Sequence, residues 1–568
     1  MRIIRIYTYS TMRVALTLTC LLLAVPVLGV LGAWLAFDAA AWAVLVHQAQ
    51  TVLAGYALQS LLLALFVAAG VALLGGGAAA AVALFEFPGR RHFEWALLLP
   101  MAMPAYVLAY AYTDFLQFSG ALQSSLRSLA GLEGALWPDV RSLPGAIVLF
   151  TLCLYPYVYL LVRTALAERG VQMMEAARLL GAGLWRRIGA IALPLSRPAL
   201  AAGVALALME TLSDYGVGAY FGLSTFSTGI YKAWLVMNDR IAAAQLASAL
   251  LLLVALLLWA ERRARRHLRY AGGRSAGQSN ANEGRAVVLH GRLALLAWTL
   301  CALPVAFGFV LPLLLLARLV WQEALFGDFG LPWLRFAQWS LNSFQLATSA
   351  ALLAAGLALV LAFALRVAAS RADQGWRTQL LAGAVRTVSL GYAVPGAVIA
   401  VGILIPVGVV QTLWPAAPIG AIVTGTVVGL LYAYLVRFSA VALQSLDAGY
   451  ARLPASLDDS ARMLGASRAR LLLEVHLPLL RRSVLAAALL VFVDVMKELP
   501  ATLLLRPFNS DTLAVVAYNL ARDERLAEAA LPSLAIVAVG LLPVLLLSRA
   551  MRQVDVAPPA GIEPASSA

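Results

Sequence analysis

The chain is a succession of apolar runs, each long enough to cross a bilayer, and that pattern leaves few choices of architecture. A spanning helix needs about 20 predominantly apolar residues. Twelve such segments can be placed, near 14–37, 53–84, 95–116, 144–166, 198–221 and 242–260, then 293–320, 342–368, 380–411, 419–443, 483–505 and 530–548. They predict an all-α integral membrane protein of about twelve transmembrane helices. Composition agrees: 62% of residues are hydrophobic and only 12% charged, where a soluble domain carries about a quarter charged.

A formal charge of +14 would suit a nucleic-acid binder if the basic residues made one patch. They fall instead in short clusters between apolar runs, as expected when arginine fixes topology, so no nucleic-acid partner is expected. With the N-terminus inside, most of the 42 basic residues lie in the cytoplasm, and so do both termini. Arg262, Arg263, Arg265, Arg266 and Arg269 make the densest anchor. The first apolar run is long enough to span and stay in place rather than act as a cleaved leader. Cys20, Cys153 and Cys301 sit in apolar stretches at unrelated spacings, which argues against a disulfide framework or a thiolate metal site. The five histidines show no ligand spacing, and no nucleophile stands beside a base, which speaks against a membrane-embedded enzyme.

The chain repeats itself. At a constant offset of 284, EAARLLGA (175–182) aligns with DSARMLGA (459–466) and LPLSR (193–197) with LPLLR (477–481). Repeats that preserve both residues and spacing are a strong architectural signal. The expected division is a first half at 1–260, a cytoplasmic Gly/Ser/Asn-rich linker at 261–292 containing GGRSAGQSNANEG, a second half at 293–552 and a disordered tail at 553–568. Each repeat reads as a short amphipathic helix, a glycine at a tight turn, and a second helix ending at proline. In the first copy Ala177, Leu180 and Leu184 share one face, while Arg178, Arg186 and Arg187 point elsewhere. On physical grounds alone these helices could lie on the membrane surface with their basic side chains on lipid headgroups.

These residues resemble a known family. The spacing EAA-x(3)-G, with a proline thirteen residues after the glycine, is similar to the loop of binding-protein-dependent ABC importer permeases of type I. The resemblance implies that the loop docks on an ATPase subunit and transmits its movement. Glu175, Ala176, Ala177, Gly181 and Pro194 match fully; the second copy has Asp459, Ser460, Ala461, Gly465 and Pro478 at the same places. No G-x(4)-G-K-[ST] phosphate loop occurs in the chain. The implied ATP site is therefore on a separate polypeptide, present as two copies, with no cofactor bound by this chain. A periplasmic solute-binding protein is the other implied partner, and the bacterial inner membrane the implied location.

Further stretches resemble the ferric-iron branch: LPMAMPAYVLAYAYTD (99–114), LYPYVYLLVR (154–163), METLSDYG (209–216), TGIYKAW (228–234) and VMKELPATLLLRP (495–507). The residues point the same way. Glu210 is expected near mid-membrane with Asp214 four residues on along the same helix face, and the offset carries this pair onto Asp494 and Glu498, with Lys497 beside them. Ionisable groups at membrane depth face a pathway or one another, and oxygen ligands suit a hard cation. Tyr106, Tyr110 and Asp114 share a face of the third helix; Tyr106 and Tyr110 read as pathway candidates or as an interfacial aromatic belt. Pro104 and Pro395 are expected to kink their helices, and Arg163 and Arg437 to snorkel at the cytoplasmic ends of the fourth helices. No metal ligand set is assigned. A permease for thiamine, polyamine or phosphonate shares the loop, and a twelve-helix secondary transporter shares the two halves but not the doubled loop.

Overall fold

The computed structural model describes residues 2–36, 38–266, 287–327, 331–369 and 376–555. Ten of its helices are long and apolar enough to cross a membrane, or eleven if the bent pair Arg90–Ala102 and Ala105–Ala130 forms one span. The expected twelfth, Leu477–Met496, carries Arg481, Arg482 and Asp494 and falls short in apolar character. It holds a spanning position nonetheless. It packs on Trp333–Ala369 and Val427–Tyr450 as Leu193–Ser213 packs on Leu53–Leu84 and Leu143–Leu179 in the first half.

Several expected spans are broken, and proline and glycine explain where. Pro104 and Pro395 do not kink continuous helices. Each is the N-cap of a new one, Ala105–Leu116 and Gly396–Leu413, behind a 3-10 turn at Leu99–Ala102 or Gly391–Ala393. Without an N–H, proline cannot continue a helix but starts one well. In the first half the two pieces meet at 89°. The span expected at 419–443 is instead Ile419–Gly425 followed by Val427–Tyr450, capped by the Thr426 hydroxyl.

The first helices are exchanged between halves. Arg2–Gly32 packs on Trp376–Val388, Gly396–Leu413 and Val427–Tyr450 of the second half. Gly291–Val305, of the second half, packs on Leu53–Leu84 of the first, and Leu311–Phe326 on Ala105–Leu116. Close approach needs small residues here: a Cβ on Gly29 would lie 2.4 Å from the Gly402 carbonyl oxygen. A two-residue parallel bridge, Phe85–Glu86 with Val287–Val288, ties the start of the second half to the first.

The proposed linker is shorter than its composition suggested. Helix Arg240–Arg266 runs six residues into it, and its last residues form the bridge and the start of the next helix. Residues 267–286, with GGRSAGQSNANEG, lie outside the described residues, as do 556–568; the last helix runs to Asp555.

Candidate functional site

Between the halves lies a cavity of ≈ 100 Å³ lined by Tyr106, Cys153, Tyr157, Glu210, Asp214, Tyr392, Arg437, Asp494, Lys497 and Glu498 among others. The two helices expected to supply acidic pairs end sooner than the i, i+4 reading required. Leu193–Ser213 stops one residue before Asp214, and Leu477–Met496 two before Glu498. Asp214 and Glu498 then turn back to cap the next short helices. Asp214 accepts from the Val217 amide at 2.8 Å, and Glu498 from the Ala501 and Thr502 amides at 2.8 and 3.0 Å. Each pair still meets at the cavity, one carboxylate from a helix end and one from a cap.

Arg437 departs furthest from its expected place. It does not snorkel at a membrane surface. It is buried midway along Val427–Tyr450, with its guanidinium 3.8 Å from Glu210 of the first half and 3.7 Å from Glu498 of the second. Its repeat counterpart, 284 residues earlier, is Cys153, which lines the same cavity. Lys497 pairs with Asp494 at 2.9 Å. The cavity thus holds four carboxylates against two cations, and each cation is already paired. Arg163 is no free anchor either, lying 3.4 Å from Glu94.

Tyr106 and Tyr110 are buried rather than spread in an interfacial belt. The Tyr106 hydroxyl donates to the Lys497 carbonyl at 3.4 Å across the halves, and Tyr231 bonds the Pro500 carbonyl. Tyr110 stands edge-on to Tyr220 at 4.8 Å and does not line the cavity. Toward the end of the molecule bearing Arg141, the halves are joined by Tyr518–Tyr215 at 3.2 Å and Arg141–Glu524 at 2.8 Å.

The repeated loops emerge at the other end with matching turns. Gly181 and Gly465 adopt φ of 80° and 82°, the left-handed region that favours glycine. In both, the residue after the glycine returns its amide to the carbonyl of the second alanine position: Ala182 to Ala177 and Ala466 to Ala461, each at 3.0 Å. Glu175 and Asp459 pair with Arg178 and Arg462 at 3.8 and 3.2 Å. Ala176 and Ser460 accept the amides of Leu180 and Leu464, each at 3.1 Å. The second helix of each loop does not end at Pro194 or Pro478; it continues through a π-helical stretch into the long helix, with the proline in its first turn.

Leu180 is expected on an apolar face with Ala177 and Leu184. It is 88% exposed, as is its counterpart Leu464, beside exposed Leu179 and Met463. Both tips therefore present leucine ahead of the glycine, an arrangement that asks for a partner.

The sequence pattern of binding-protein-dependent transport system inner membrane components matches residues 72–270 and again 375–556, together more than half of the chain. The chain belongs to that family. The permease is 25% identical over 502 residues to an Fe(3+)-transport system permease protein of Haemophilus influenzae, covering 86% of this chain and 88% of that one. It is 28% identical over 196 residues to a putative 2-aminoethylphosphonate transport system permease protein of Salmonella choleraesuis, covering 34% of this chain and 68% of the relative. A molybdenum transport system permease protein of Escherichia coli is 30% identical over 135 residues, covering 24% and 57%. The permease is thus a multi-pass inner-membrane component of an importer.

Proposed function

We propose that this permease carries ferric iron across the inner membrane, driven by two ATPase subunits seated on the Gly181 and Gly465 loops and fed by a periplasmic binding protein. The excess of carboxylates in the cavity carries the cargo assignment. With Arg437 set against Glu210 and Glu498 and Lys497 against Asp494, the four carboxylates still outnumber the two cations, an excess that favours an incoming cation over an oxyanion. The likeness to the Fe(3+) permease, which extends over most of both chains, supports the same cargo.

In this mechanism the loops and both termini face the cytoplasm, as the arginine distribution favours. A loaded binding protein docks at the end closed by Arg141–Glu524 and the tyrosine contacts. ATP binding draws the loop tips together, the halves rock about the cavity, and that closure opens. Among the described residues no group of three His, Cys, Asp or Glu side chains could hold a metal ion. The carboxylates accordingly attract and pass iron instead of storing it.

The test is uptake of labelled ferric iron in iron-starved cells with and without this gene, with labelled thiamine, 2-aminoethylphosphonate and molybdate in parallel. Loss of iron uptake alone is expected. Loss of uptake of another cargo with iron unaffected refutes the cargo assignment and leaves the loop roles standing.

A further inference from the structure

The two docking loops are attached to their halves by different physics. In the first half, Leu143–Leu179 runs as one helix from the membrane to the loop tip, with Pro156 well inside it and none at the loop. A push on its end travels along a single rod. In the second half the rod is cut: Val427–Tyr450 ends, and the loop helix Ala455–Met463 begins behind Pro454. Proline lacks the amide that would continue the ladder, and the Tyr450 carbonyl accepts instead from the Leu453 amide at 3.0 Å, closing the helix with a tight turn.

Arg366, on Trp333–Ala369, spans that cut. Its guanidinium donates to the carbonyls of Tyr450, Leu453 and Pro454 at 3.3, 2.9 and 3.0 Å. It also grips both carboxylate oxygens of Asp458 in the loop helix, at 2.9 and 3.2 Å. Asp458 is 2% exposed and His476 1%. His476 Nε2 lies 3.0 Å from Asp458, and its Nδ1 3.2 Å from the Tyr450 hydroxyl. One arginine, using the forked donors no lysine has, thus ties together both sides of the break and a third helix.

The repeat shows that this is an addition to one half only. At the offset of 284, Arg366, Tyr450, Asp458 and His476 correspond to Val82, Leu166, Met174 and Ala192. All four counterparts are buried and apolar. The half with a continuous helix packs these positions with hydrocarbon; the half with a broken helix fills them with a charged cluster.

We propose that Arg366 is the positioning residue of the second docking loop, a bolt that replaces helix continuity and passes the ATPase stroke into Trp333–Ala369. The two loops then drive different helices, so the halves are not mechanically equivalent. This rests on the proposal that the loops seat ATPase subunits, and its test separates the two.

Arg366→Met and Asp458→Asn are compared with wild type in the full complex of permease, ATPase and loaded binding protein in proteoliposomes. Hydrogen exchange is read at 455–466 and 173–182, and cargo moved per ATP is measured alongside. Exchange at 455–466 should quicken by roughly tenfold or more, since a buried charge has lost its partner, with 173–182 unchanged. Cargo per ATP should fall severalfold while ATPase subunits still co-purify. Asp458→Asn keeps the side-chain shape, so it covers the case in which Arg366→Met does not assemble. Wild-type exchange and coupling in an assembled variant overturn the bolt. Failure of the wild-type chain to retain ATPase subunits overturns the docking proposal instead, while the exchange comparison still judges the bolt.

Discussion

Removing the Arg437 guanidinium should destabilise the permease through one identifiable carboxylate. In Arg437→Met, Glu498 keeps its two backbone amide donors and stays satisfied. Glu210, 3.8 Å from the lost guanidinium, is left beside a low-dielectric cavity with no other ion-pair partner among the described residues. Breaking a buried pair by deleting one member costs about 3–5 kcal/mol. Separations of 3.7 and 3.8 Å exceed hydrogen-bond length and the Glu210 side chain is 25% exposed, which places the expected loss below that range, at about 1–3 kcal/mol. Adding Glu210→Gln removes the stranded charge, so the double variant should recover between about 0.5 and 3 kcal/mol of coupling. The assay is thermal unfolding of detergent-purified protein for wild type, both single variants and the double. The reasoning is refuted if Arg437→Met unfolds with wild type, or if the two changes add to within about 0.5 kcal/mol.

Three further expectations concern the loops. Gly181→Val and Gly465→Val should each cost about 1–2 kcal/mol at their left-handed positions, whereas asparagine at either site should be milder. Since no atom lies within 4 Å of an added Cβ at either glycine, uptake that ranks the variants by size instead of backbone preference contradicts this. Leu180→Glu combined with Leu464→Glu should abolish co-purification of the ATPase subunits without altering expression; retained subunits would show that the exposed tips are not the seat. Burial alone would raise the Asp458 pKa, but hydrogen bonds from Arg366 and His476 hold it below the usual carboxylate range. Its stabilisation is therefore present above the unfolded carboxylate pKa of about 4 and lost as pH falls through the folded value. Exchange protection of 455–466 should hold from neutral pH down to that range and then collapse; collapse already near pH 6 would implicate another group.

The halves and the loop turns were legible because they depend on local chemistry. Repeated glycines at an offset of 284, with equal distances to proline, predict the same turn twice, and the turns agree within 2° in φ, at 80° and 82°. The cavity was half legible. Glu210, Asp214, Asp494 and Glu498 do converge there, but each helix ends before its second acid, ahead of the breakers Gly216 and Pro500, so the i, i+4 spacing does not describe the pairs. Arg437 lies deeper than its expected place because its helix starts at Val427, not at 419. With Gly425 and the capping Thr426 taken as a boundary, the residue falls ten positions into the helix, about 15 Å along it, in mid-membrane. Arg366 and Asp458 could not be joined from sequence at all. They stand 92 residues apart, and nothing local distinguishes Asp458 from Asp459 beside it.

The exchanged first helices carry a cost in time. Helix Arg2–Gly32 finds its seat on Trp376–Val388 and Gly396–Leu413, so 343 residues must be synthesised between Gly32 and Trp376. At ribosomal rates of about 5–20 residues per second, the N-terminal helix waits in lipid for roughly 20–70 s before its partner exists. Throughout that interval the surface that will bury Cys20 and Val30 is open to any neighbouring helix or quality-control protease. The first half does not complete its packing alone, and a chain stopped before residue 376 lacks both of the second-half helices on which its first helix chiefly packs.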